Sequence, residues 1–403
     1  MPTGRRLAPG MVRRAHRQLP DGRRAVVDAR PVVVVWKSSW LPRSQTFVAN
    51  QLQAMQRWRP LLLGVRQVTD GLPVVPDRAP FGTGLVGRSV HRLSAMTGYL
   101  GVYDGLLRSS GAVVVHAHFG TSAVGVLPVA RRHGLPLVVT FHGYDVTSEA
   151  RRTDAAGRRY RERLSEVFAY ADTLIAVSDY VAGRLVSLGA PEDKIQVRYI
   201  GIPTNGPDPA PLGSRRGIAF VGRLVERKGV GDLISAIAAL PRELRSVDVT
   251  IVGDGPLRGS LEASARSAGL NVTWRGFESP SGVSEVLRES AIFCAPSVAA
   301  APGDAEAFGM VYLEAALQGL PVVAYATGGV PEAVADGTSG LLAPEGDVRA
   351  LSEHLRTLLM TPDLAHALGA QGRERVLRDF DIVARTAELE DVYTSAAGRA
   401  GRP

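Results

Sequence analysis

Two glutamates eight positions apart, Glu306 and Glu314, are the first candidates for chemistry in this chain. Residues 310–318 have the composition of a helix, and Gly319 followed by a proline predicts its end. The amino end of a helix offers unpaired amides to an anion such as a pyrophosphate. Along a continuous helix the two carboxylates would lie about 12 Å apart, beyond the roughly 5–9.5 Å of paired glycosidase carboxylates. The spacing disfavours a plain hydrolase and leaves an anion-binding role or two ordinary surface glutamates.

A second group of candidate residues lies in the segment 220–229, which starts at a predicted strand end and turns through Gly222. Arg223 and Lys228 can converge there on one diphosphate, arginine as a planar fork and lysine as a point charge. Their positive charge would stabilise a departing nucleoside diphosphate without a metal ion. Lysine occurs only three times in the chain, which makes this one informative. The alternative is a solvated basic loop, which is our interpretation of Arg227.

Histidines follow two further apolar segments. His142, with Gly143 after it, ends the predicted strand 136–141 and could hydrogen-bond a sugar hydroxyl or a carbonyl; a structural histidine is the ordinary alternative. His116 and His118 would share one face of a strand, as two metal ligands could. No cysteine or carboxylate near them supplies the remaining ligands, so we predict no metal site.

Two glycine turns complete the candidate set. The segment 252–256, Val-Gly-Asp-Gly-Pro, contains Gly253 and resembles a truncated phosphate loop, but it lacks the spacing of a dinucleotide fingerprint and the Walker lysine. The segment 274–277 ends at Phe277 and could present backbone groups to the edge of a nucleobase. Neither turn is specific by itself.

The elements that must position these residues alternate between strand and helix. Strands are predicted near 31–36, 60–65, 112–117, 136–141, 173–177, 195–200, 217–222, 247–252, 271–274, 291–295 and 321–325. The segment 203–216 interrupts them with four prolines and two glycines and is predicted to be a linker. Such alternation predicts two doubly wound α/β domains with a cleft between them. Every candidate motif falls at the carboxyl end of a strand, where such sheets bind ligands.

Composition agrees with a globular enzyme of two domains, since 403 residues exceed one ordinary core. No apolar run is long enough to cross a bilayer, and the single cysteine, Cys294, is predicted to be buried in a strand. Residues 1–30 contain eight arginines and two aspartates, so they carry +6 of the net charge of +8. We predict a disordered basic tail without a secretory signal, with contact between the tail and anionic lipid or nucleic acid as the alternative. A nucleic-acid-binding function is disfavoured because the remaining chain is nearly neutral.

Together these motifs resemble the GT-B glycosyltransferases of glycosyltransferase family 4, over nearly the whole chain after the tail. The ordered set comprises the segment 40–51 (Trp-Leu-Pro-Arg-Ser-Gln-Thr-Phe-Val-Ala-Asn-Gln), Phe-His-Gly-Tyr-Asp, Val-Gly-Arg-Leu with the later Lys-Gly, Gly-Asp-Gly-Pro, and the two spaced glutamates. The order is specific although no single motif is. The resemblance implies two Rossmann-like domains, transfer with retention of anomeric configuration, and no required metal or other cofactor.

The resemblance also implies residue roles. Arg223 and Lys228 would hold the diphosphate, Glu306 would contact the transferred sugar, and Glu314 would bind the ribose hydroxyls. His142 would reach the donor sugar from the N-terminal side. Other donor-binding positions would be Gly222, Gly253, Phe277, Phe308, Gly309, Met310 and Val311, the last four through backbone groups.

One segment departs from the common family pattern. Many members carry a glycine-rich loop after the first strand, whereas Ser38–Thr46 occupies that place here. It resembles the Pro-x-Ser-Glu-Thr-Phe pattern of the exopolysaccharide and colanic-acid subgroup, with Gln45 where glutamate is common.

We therefore expect a cytoplasmic bacterial enzyme that transfers a hexose from a nucleoside-diphosphate sugar to a hydroxyl of a saccharide, lipid-linked or small-molecule acceptor. Peripheral association with the inner face of the plasma membrane is left open, and so is the oligomeric state. A nucleotide-sugar epimerase or a phosphorylase on the same fold is the alternative. The expected organisation is a tail 1–30, an acceptor-side domain 31–202, a linker 203–216, a donor-binding domain 217–380, and a helix within 381–403 that packs back on the first domain.

Overall fold

Two six-stranded parallel sheets follow one another along the chain in the computed structural model. The structure describes residues 28–68, 71–80, 84–86, 89 and 101–400. The predicted tail 1–30 lies outside these residues except for its last three, in which Arg30 pairs with Asp28. Among the described helices, none combines the length and the apolar character that a membrane span requires.

The first sheet is formed by β1 (Val32–Trp40), β2 (Arg59–Gln67), β3 (Ala112–His118), β4 (Leu137–Phe141), β5 (Thr173–Ala176) and β6 (Ile195–Val197). Its strand order is β2-β1-β3-β4-β5-β6, so the order reverses between β1 and β3. In β1, Val32 and Val34 pack on one face of the sheet while Val33 and Val35 pack on the other. Burial on both faces explains the unbroken valine run.

The helices around this sheet are α1 (Thr46–Ala54), α2 (Asp104–Ser110), α3 (Gly120–His133), α4 (Ala155–Tyr170) and α5 (Asp179–Ser187). Asp154 caps α4 by accepting the Gly157 amide at 2.8 Å. At the other end of α4, Lys194 Nζ donates to the carbonyl of Ala169 at 2.8 Å. The positive charge of the lysine also interacts favourably with the helix dipole at this end. Lys194 is therefore structural.

The second sheet comprises β7 (Arg216–Val221), β8 (Val249–Val252), β9 (Val272–Gly276), β10 (Ser290–Cys294), β11 (Val322–Tyr325) and β12 (Gly340–Ala343). Its order is β12-β11-β10-β7-β8-β9, and it reverses between β7 and β10. The helices here are α6 (Val230–Ala238), α7 (Arg258–Ser267), α8 (Pro280–Glu289), α9 (Met310–Leu317), α10 (Val330–Ala333), α11 (Val348–Met360) and α12 (Pro362–Asp379).

The last helix, α13 (Ile382–Ala400), returns to the first sheet. A backbone bridge joins Ile202 to Asp381 just before it begins. Its apolar residues, Leu389 and Val392 among them, pack in one core cluster with Val33 and Val35 of β1. Two chain segments thus connect the halves of the molecule, 198–215 and 380–382.

The predicted fold class, two doubly wound α/β domains, is confirmed, while the domain limits stay a prediction. Eleven strands were expected, and the missed one is β12, a four-residue Gly-Leu-Leu-Ala strand without a β-branched residue. β1 continues to Trp40 rather than ending at 36, and β6 ends at Val197 rather than near 200. Cys294 is fully buried in β10, as predicted.

Candidate functional site

The loops after β7 and β10 meet where the strand order of the second sheet reverses, which is the usual ligand position in open α/β sheets. The loop after β10 contains Glu306 and leads into α9 through Gly309, whose φ of 89° suits glycine. Behind this loop, a Cβ on Gly328 would lie 2.2 Å from the Glu306 carbonyl oxygen, and one on Gly329 would lie 2.1 Å from that of Ala307. The glycine pair therefore allows the loop to pack closely against the start of α10.

An ion pair joins the two loops. The Lys228 ammonium donates to Glu306 Oε2, and the two side chains are 20% and 14% exposed. Burial favours the neutral form of Glu306, but the nearby Lys228 and Arg227 charges outweigh it and hold the pKa of this carboxyl below its usual range. Glu306 is therefore an anion at neutral pH. The structure brings together these two predicted site residues, although their roles in transfer stay predictions.

Arg227 is not the solvated residue that we predicted. Its guanidinium lies 3.5 Å from Asp304 Oδ1 and is 29% exposed. The other Asp304 oxygen accepts a hydrogen bond from Ser148 Oγ at 2.8 Å. The prediction was wrong because the partner of Arg227 comes from a loop 77 positions away, which the local sequence does not reveal.

Within the part of the chain that the structure describes, the side chains of Arg223 and Glu314 form no hydrogen bond or ion pair. Arg223 is exposed in the loop after β7. Glu314 is half-buried in α9, and burial raises the pKa of its carboxyl. Both side chains can therefore form hydrogen bonds with a ligand.

The remaining donor-side positions are mostly backbone. Met310 and Val311 begin α9, where helical N–H groups lack intrahelical acceptors. The Phe308 side chain, in contrast, is buried and stacks on Tyr199 with a centroid distance of 5.4 Å, so only its backbone can face a donor.

Two glycine turns line the neighbouring strand ends. A Cβ on Gly253, which has a φ of 131°, would lie 1.8 Å from the Gly222 carbonyl oxygen, so position 253 requires glycine at this close approach of the two turns. Phe277 follows β9 and is 66% exposed. The Arg43 guanidinium, from the loop after β1, lies 5.7 Å from the centre of its ring. The two halves of the molecule thus approach each other at the predicted base-binding position.

His142 lies on the N-terminal side among aromatic rings. Its ring centre is 4.7 Å from that of Phe47 and 4.4 Å from that of Phe119. Its Nε2 is 3.1 Å from His118 Nδ1, a distance for one shared hydrogen bond. Burial, together with the nearby Lys37 charge, holds the pKa of both imidazoles well below the usual range. Both rings are therefore neutral at pH 7.

His116 has a structural role. Its Nε2 is 2.8 Å from Thr140 Oγ1, and its Nδ1 is 2.6 Å from the Tyr393 hydroxyl of α13. Over the described ranges, no group of three or more histidine, cysteine or carboxylate side chains is arranged to hold a metal ion. The polar partners of His116 connect the last helix to the first sheet.

The loop that contains Glu306 also contacts the first domain directly. Ser178 Oγ donates to the Ala307 carbonyl at 2.6 Å, and the Ala305 amide donates to the Tyr180 hydroxyl at 3.2 Å. Glu332 of α10 accepts the amides of Asp179 and Tyr180 at 2.7 and 3.1 Å, which caps α5 from across the cleft. These bonds hold the two domains together around the loop.

The sequence patterns gave no site role to Lys37, Asp304, Tyr180 or Glu332, and they presented His118 only as a metal ligand that was then rejected. Lys37 had a usable signal, because it is one of three lysines and stands near the end of a predicted strand. Asp304, Tyr180 and Glu332 are recognisable only from contacts across the cleft.

Two family models match most of the chain. The model "Glycosyltransferase Family 4" matches residues 65–205, and "Glycosyl transferases group 1" matches residues 208–375. The two matches divide the chain between the first and the second sheet.

Curated relatives agree with these matches. A protein described as a glycosyltransferase of colanic acid biosynthesis, WcaL of Escherichia coli K12, is 32% identical over 280 residues, 67% of each chain. A GDP-mannose-dependent α-(1-6)-phosphatidylinositol monomannoside mannosyltransferase of Mycolicibacterium smegmatis is 32% identical over 294 residues, 68% of this chain and 75% of the relative.

Solved structures share the fold. HepE of Anabaena, crystallised with UDP, superposes with a TM-score of 0.70 at 19% identity, over 91% of this chain and all of HepE. The sucrose-phosphate synthase of Thermosynechococcus elongatus gives a TM-score of 0.72 at 18% identity, over 91% and 99% of the two chains. The predicted GT-B arrangement is thereby confirmed.

Proposed function

This chain belongs to glycosyltransferase family 4, and we propose that it moves a hexose from a nucleoside-diphosphate sugar to a saccharide or lipid-linked acceptor with retention at the anomeric carbon. The observation that carries this proposal is the ion pair of Lys228 with Glu306 just before α9, with Arg223 on the Lys228 loop and Glu314 one turn into α9, both without an ion pair among the described residues. It combines a paired cation and anion with a free cation and a free carboxylate.

Each side chain suits one part of the donor. Lys228 and Arg223 are cations for a diphosphate, and the first amides of α9 add donors for its oxygens. Glu314, one turn into the helix, can accept hydrogen bonds from the ribose hydroxyls. Glu306, anionic and held by Lys228, is placed to accept hydrogen bonds from sugar hydroxyls.

Transfer with retention needs no protein nucleophile in this proposal. The bond between the anomeric carbon and the β-phosphate oxygen breaks while the acceptor oxygen bonds to the same face of that carbon. The acceptor proton passes to the leaving phosphate oxygen. Lys228 and Arg223 stabilise the negative charge that develops on the diphosphate, so no metal ion is needed for this purpose.

The acceptor class rests on the relatives. The names of WcaL and of the mannosyltransferase refer to a polysaccharide and to a phosphatidylinositol glycolipid. We therefore propose a saccharide or lipid-linked acceptor, reached at the cytoplasmic face of the membrane by peripheral association. A small-molecule natural product stays an alternative acceptor, and epimerisation or phosphorolysis stays the alternative reaction.

A panel of UDP-, GDP- and dTDP-hexoses tests the proposal. Each donor is incubated with and without a panel of monosaccharide and lipid-linked acceptors, and nucleotide release and product are quantified. We expect acceptor-dependent release with one base, a product whose anomeric proton has the donor's configuration by NMR, and no loss of rate in EDTA. An inverted product, or turnover of no donor in the panel, would contradict the proposal.

A further inference from the structure

Two adjacent ion pairs connect the loop after β10 to the loop after β7. Lys228 contacts Glu306, and the residue before this lysine, Arg227, lies 3.5 Å from Asp304 Oδ1. The second pair is partly buried, since its arginine and aspartate side chains are 29% and 14% exposed. In the proposed function a diphosphate takes Lys228 from Glu306. The pair of Arg227 with Asp304 then still connects the two loops while a donor is bound.

Asp304 also contacts the first domain. Its Oδ2 accepts a hydrogen bond from Ser148 Oγ at 2.8 Å. Ser148 belongs to the segment between β4 and α4, which begins with His142. This segment packs closely on the loop that contains Glu306, because a Cβ on Gly143 would lie 2.4 Å from the Ala307 Cβ. Asp304 therefore uses one carboxylate oxygen for each side of the cleft.

The first domain also holds the backbone on both sides of Glu306. The Ala305 amide donates to the Tyr180 hydroxyl at 3.2 Å, and Ser178 Oγ donates to the Ala307 carbonyl at 2.6 Å. Both donors and acceptors are neutral groups that a charged donor molecule has no reason to displace. The carboxylate of Glu306 is thus the part of this segment that can change partner while the backbone stays in place.

The loop reaches the first domain through a closed turn. The Ala300 amide donates to the Asp304 carbonyl at 3.1 Å, and the Asp304 amide donates to the Ala301 carbonyl at 2.8 Å. Gly303, inside this turn, lies against the guanidinium of Arg184 in α5, since a Cβ there would be 3.0 Å from Nη1. The turn therefore presents the Asp304 side chain at the contact between the domains.

Arg227 acts on both carboxylates of this loop. Besides its contact with Asp304, its charge helps Lys228 to hold the pKa of Glu306 below the usual range, against the effect of burial. When a diphosphate occupies Lys228, the Arg227 charge stays near Glu306 and favours its ionised form. An ionised Glu306 accepts hydrogen bonds from sugar hydroxyls, and Asp304 keeps Arg227 in the place where it has this effect.

We propose that Asp304, held by Arg227 and by Ser148 of the first domain, is a positioning residue that keeps Glu306 directed at the donor sugar after the diphosphate has displaced it from Lys228. This inference rests on the proposed glycosyltransferase function. It adds the residues through which the first domain contributes to recognition of the donor sugar. A purely structural contact would hold the domains together without changing how the sugar is bound relative to the base.

Saturation-transfer difference NMR of bound donors tests this role. The full chain is mixed with UDP-glucose, GDP-mannose or dTDP-glucose, and the saturation of the sugar protons is divided by that of the base protons of the same ligand. Loss of folded protein lowers both signals and cancels in this ratio. We expect Asp304→Ala and Ser148→Ala to lower the ratio to that of Glu306→Gln, at most about half of the wild-type value. Ser148→Thr, which keeps the hydroxyl, and the exposed Asp193→Asn should keep the wild-type ratio.

The outcomes separate the inference from the proposed function. A ratio that falls in Glu306→Gln but stays unchanged in Asp304→Ala and Ser148→Ala would overturn the positioning role alone. An equal fall in Ser148→Thr and Ser148→Ala would show that the hydroxyl is not the cause, and would also overturn it. A ratio that Glu306→Gln does not lower, or no saturation of any donor, would contradict the proposed donor site, and the inference would fail with it.

Steady-state kinetics with the donor and acceptor that the panel identifies give a second readout. We expect Asp304→Ala to lower kcat at least about tenfold, because the sugar is less well oriented. The inhibition constant of the nucleoside diphosphate should stay within about twofold, since its proposed ligands remain. The double variant with Ser148→Ala should lose no more than Asp304→Ala alone, because both changes break one contact. Additive losses, or an inhibition constant that rises as much as kcat falls, would refute the assignment.

Discussion

The two sides of the cleft present lysine in opposite electrostatic states. Lys228, after β7, is in direct contact with Glu306, whereas Lys37, in β1, lies over the Phe119 ring and has no ion pair among the described residues, although the Asp145 charge is near enough to raise its pKa. Both lysines stand where the strand order of their sheet reverses. Lys228 is thus compensated by direct contact, whereas Lys37 is compensated only at longer range, by Asp145.

In the proposed donor site, Lys228 can exchange Glu306 for a diphosphate while Glu306 accepts hydrogen bonds from sugar hydroxyls. Within the described part of the chain, Lys37 has no directly paired carboxylate to exchange. Replacement of the two lysines should therefore affect activity and stability differently.

The largest effect is expected on the donor side. Lys228→Ala and Glu306→Gln should each lower kcat/KM by about 10²–10³-fold, because in the proposed site each removes a group that contacts the donor. The measurement is initial-rate kinetics with the donor that the panel identifies, and circular dichroism checks the fold. Glu353→Ala on the surface of α11 is the matched control. Near wild-type turnover in both variants would contradict the assignment of Lys228 and Glu306 to the site.

Replacement of the two lysines by methionine should change the free energy of unfolding in different directions. Lys228→Met leaves the half-buried Glu306 anion unpaired, and we expect it to lower the free energy of unfolding by about 2–4 kcal/mol. Lys37→Met removes an unpaired buried charge, and we expect no loss or a gain of about 1 kcal/mol. Urea denaturation of both variants at pH 7 gives the comparison. Destabilisation by Lys37→Met equal to that of Lys228→Met would show that Lys37 is structural.

Asp145 supports the first-domain side through its hydrogen bonds. In Asp145→Asn, one of the Gly120 and His142 amides would face an NH₂ group instead of an oxygen. We expect a loss of about 1–3 kcal/mol of unfolding free energy, measured in urea. The exposed Asp193→Asn should be neutral. A neutral Asp145→Asn would mean that the loop holding His142 does not depend on this carboxylate.

The smallest effect is expected at the contact between the sides. Glu332→Ala removes the acceptor for two amides at the start of α5. We expect a loss of about 0.5–2 kcal/mol, as for other helix caps, and a larger radius of gyration in small-angle scattering because the domains separate more easily. An unchanged radius, matching the Glu353→Ala control, would show that the cap does not hold the cleft closed.

Much of this molecule was predictable because the signals are local. The valine run of β1 and the glycine stops of the helices identified the doubly wound domains, and the ordered motifs indicated Arg223, Lys228 and Glu306 as donor residues. Strand β12 was missed because four residues without β-branching leave no periodic pattern. Arg227 was misjudged because its partner, Asp304, is distant in sequence.

By itself, then, the sequence determined which residue types stand at the ends of which strands. The hydrophobic periodicity of a strand and the residue preferences of a turn depend on residues that are neighbours in the chain. The tertiary structure decided which charges meet. It paired Lys228 with Glu306 across 78 positions and capped α5 with Glu332 across 153. It also left Lys37 over the Phe119 ring, without an ion pair to any residue that the structure describes. Electrostatic compensation depends on distances in space, and only the packing of the two sheets and their loops sets those distances.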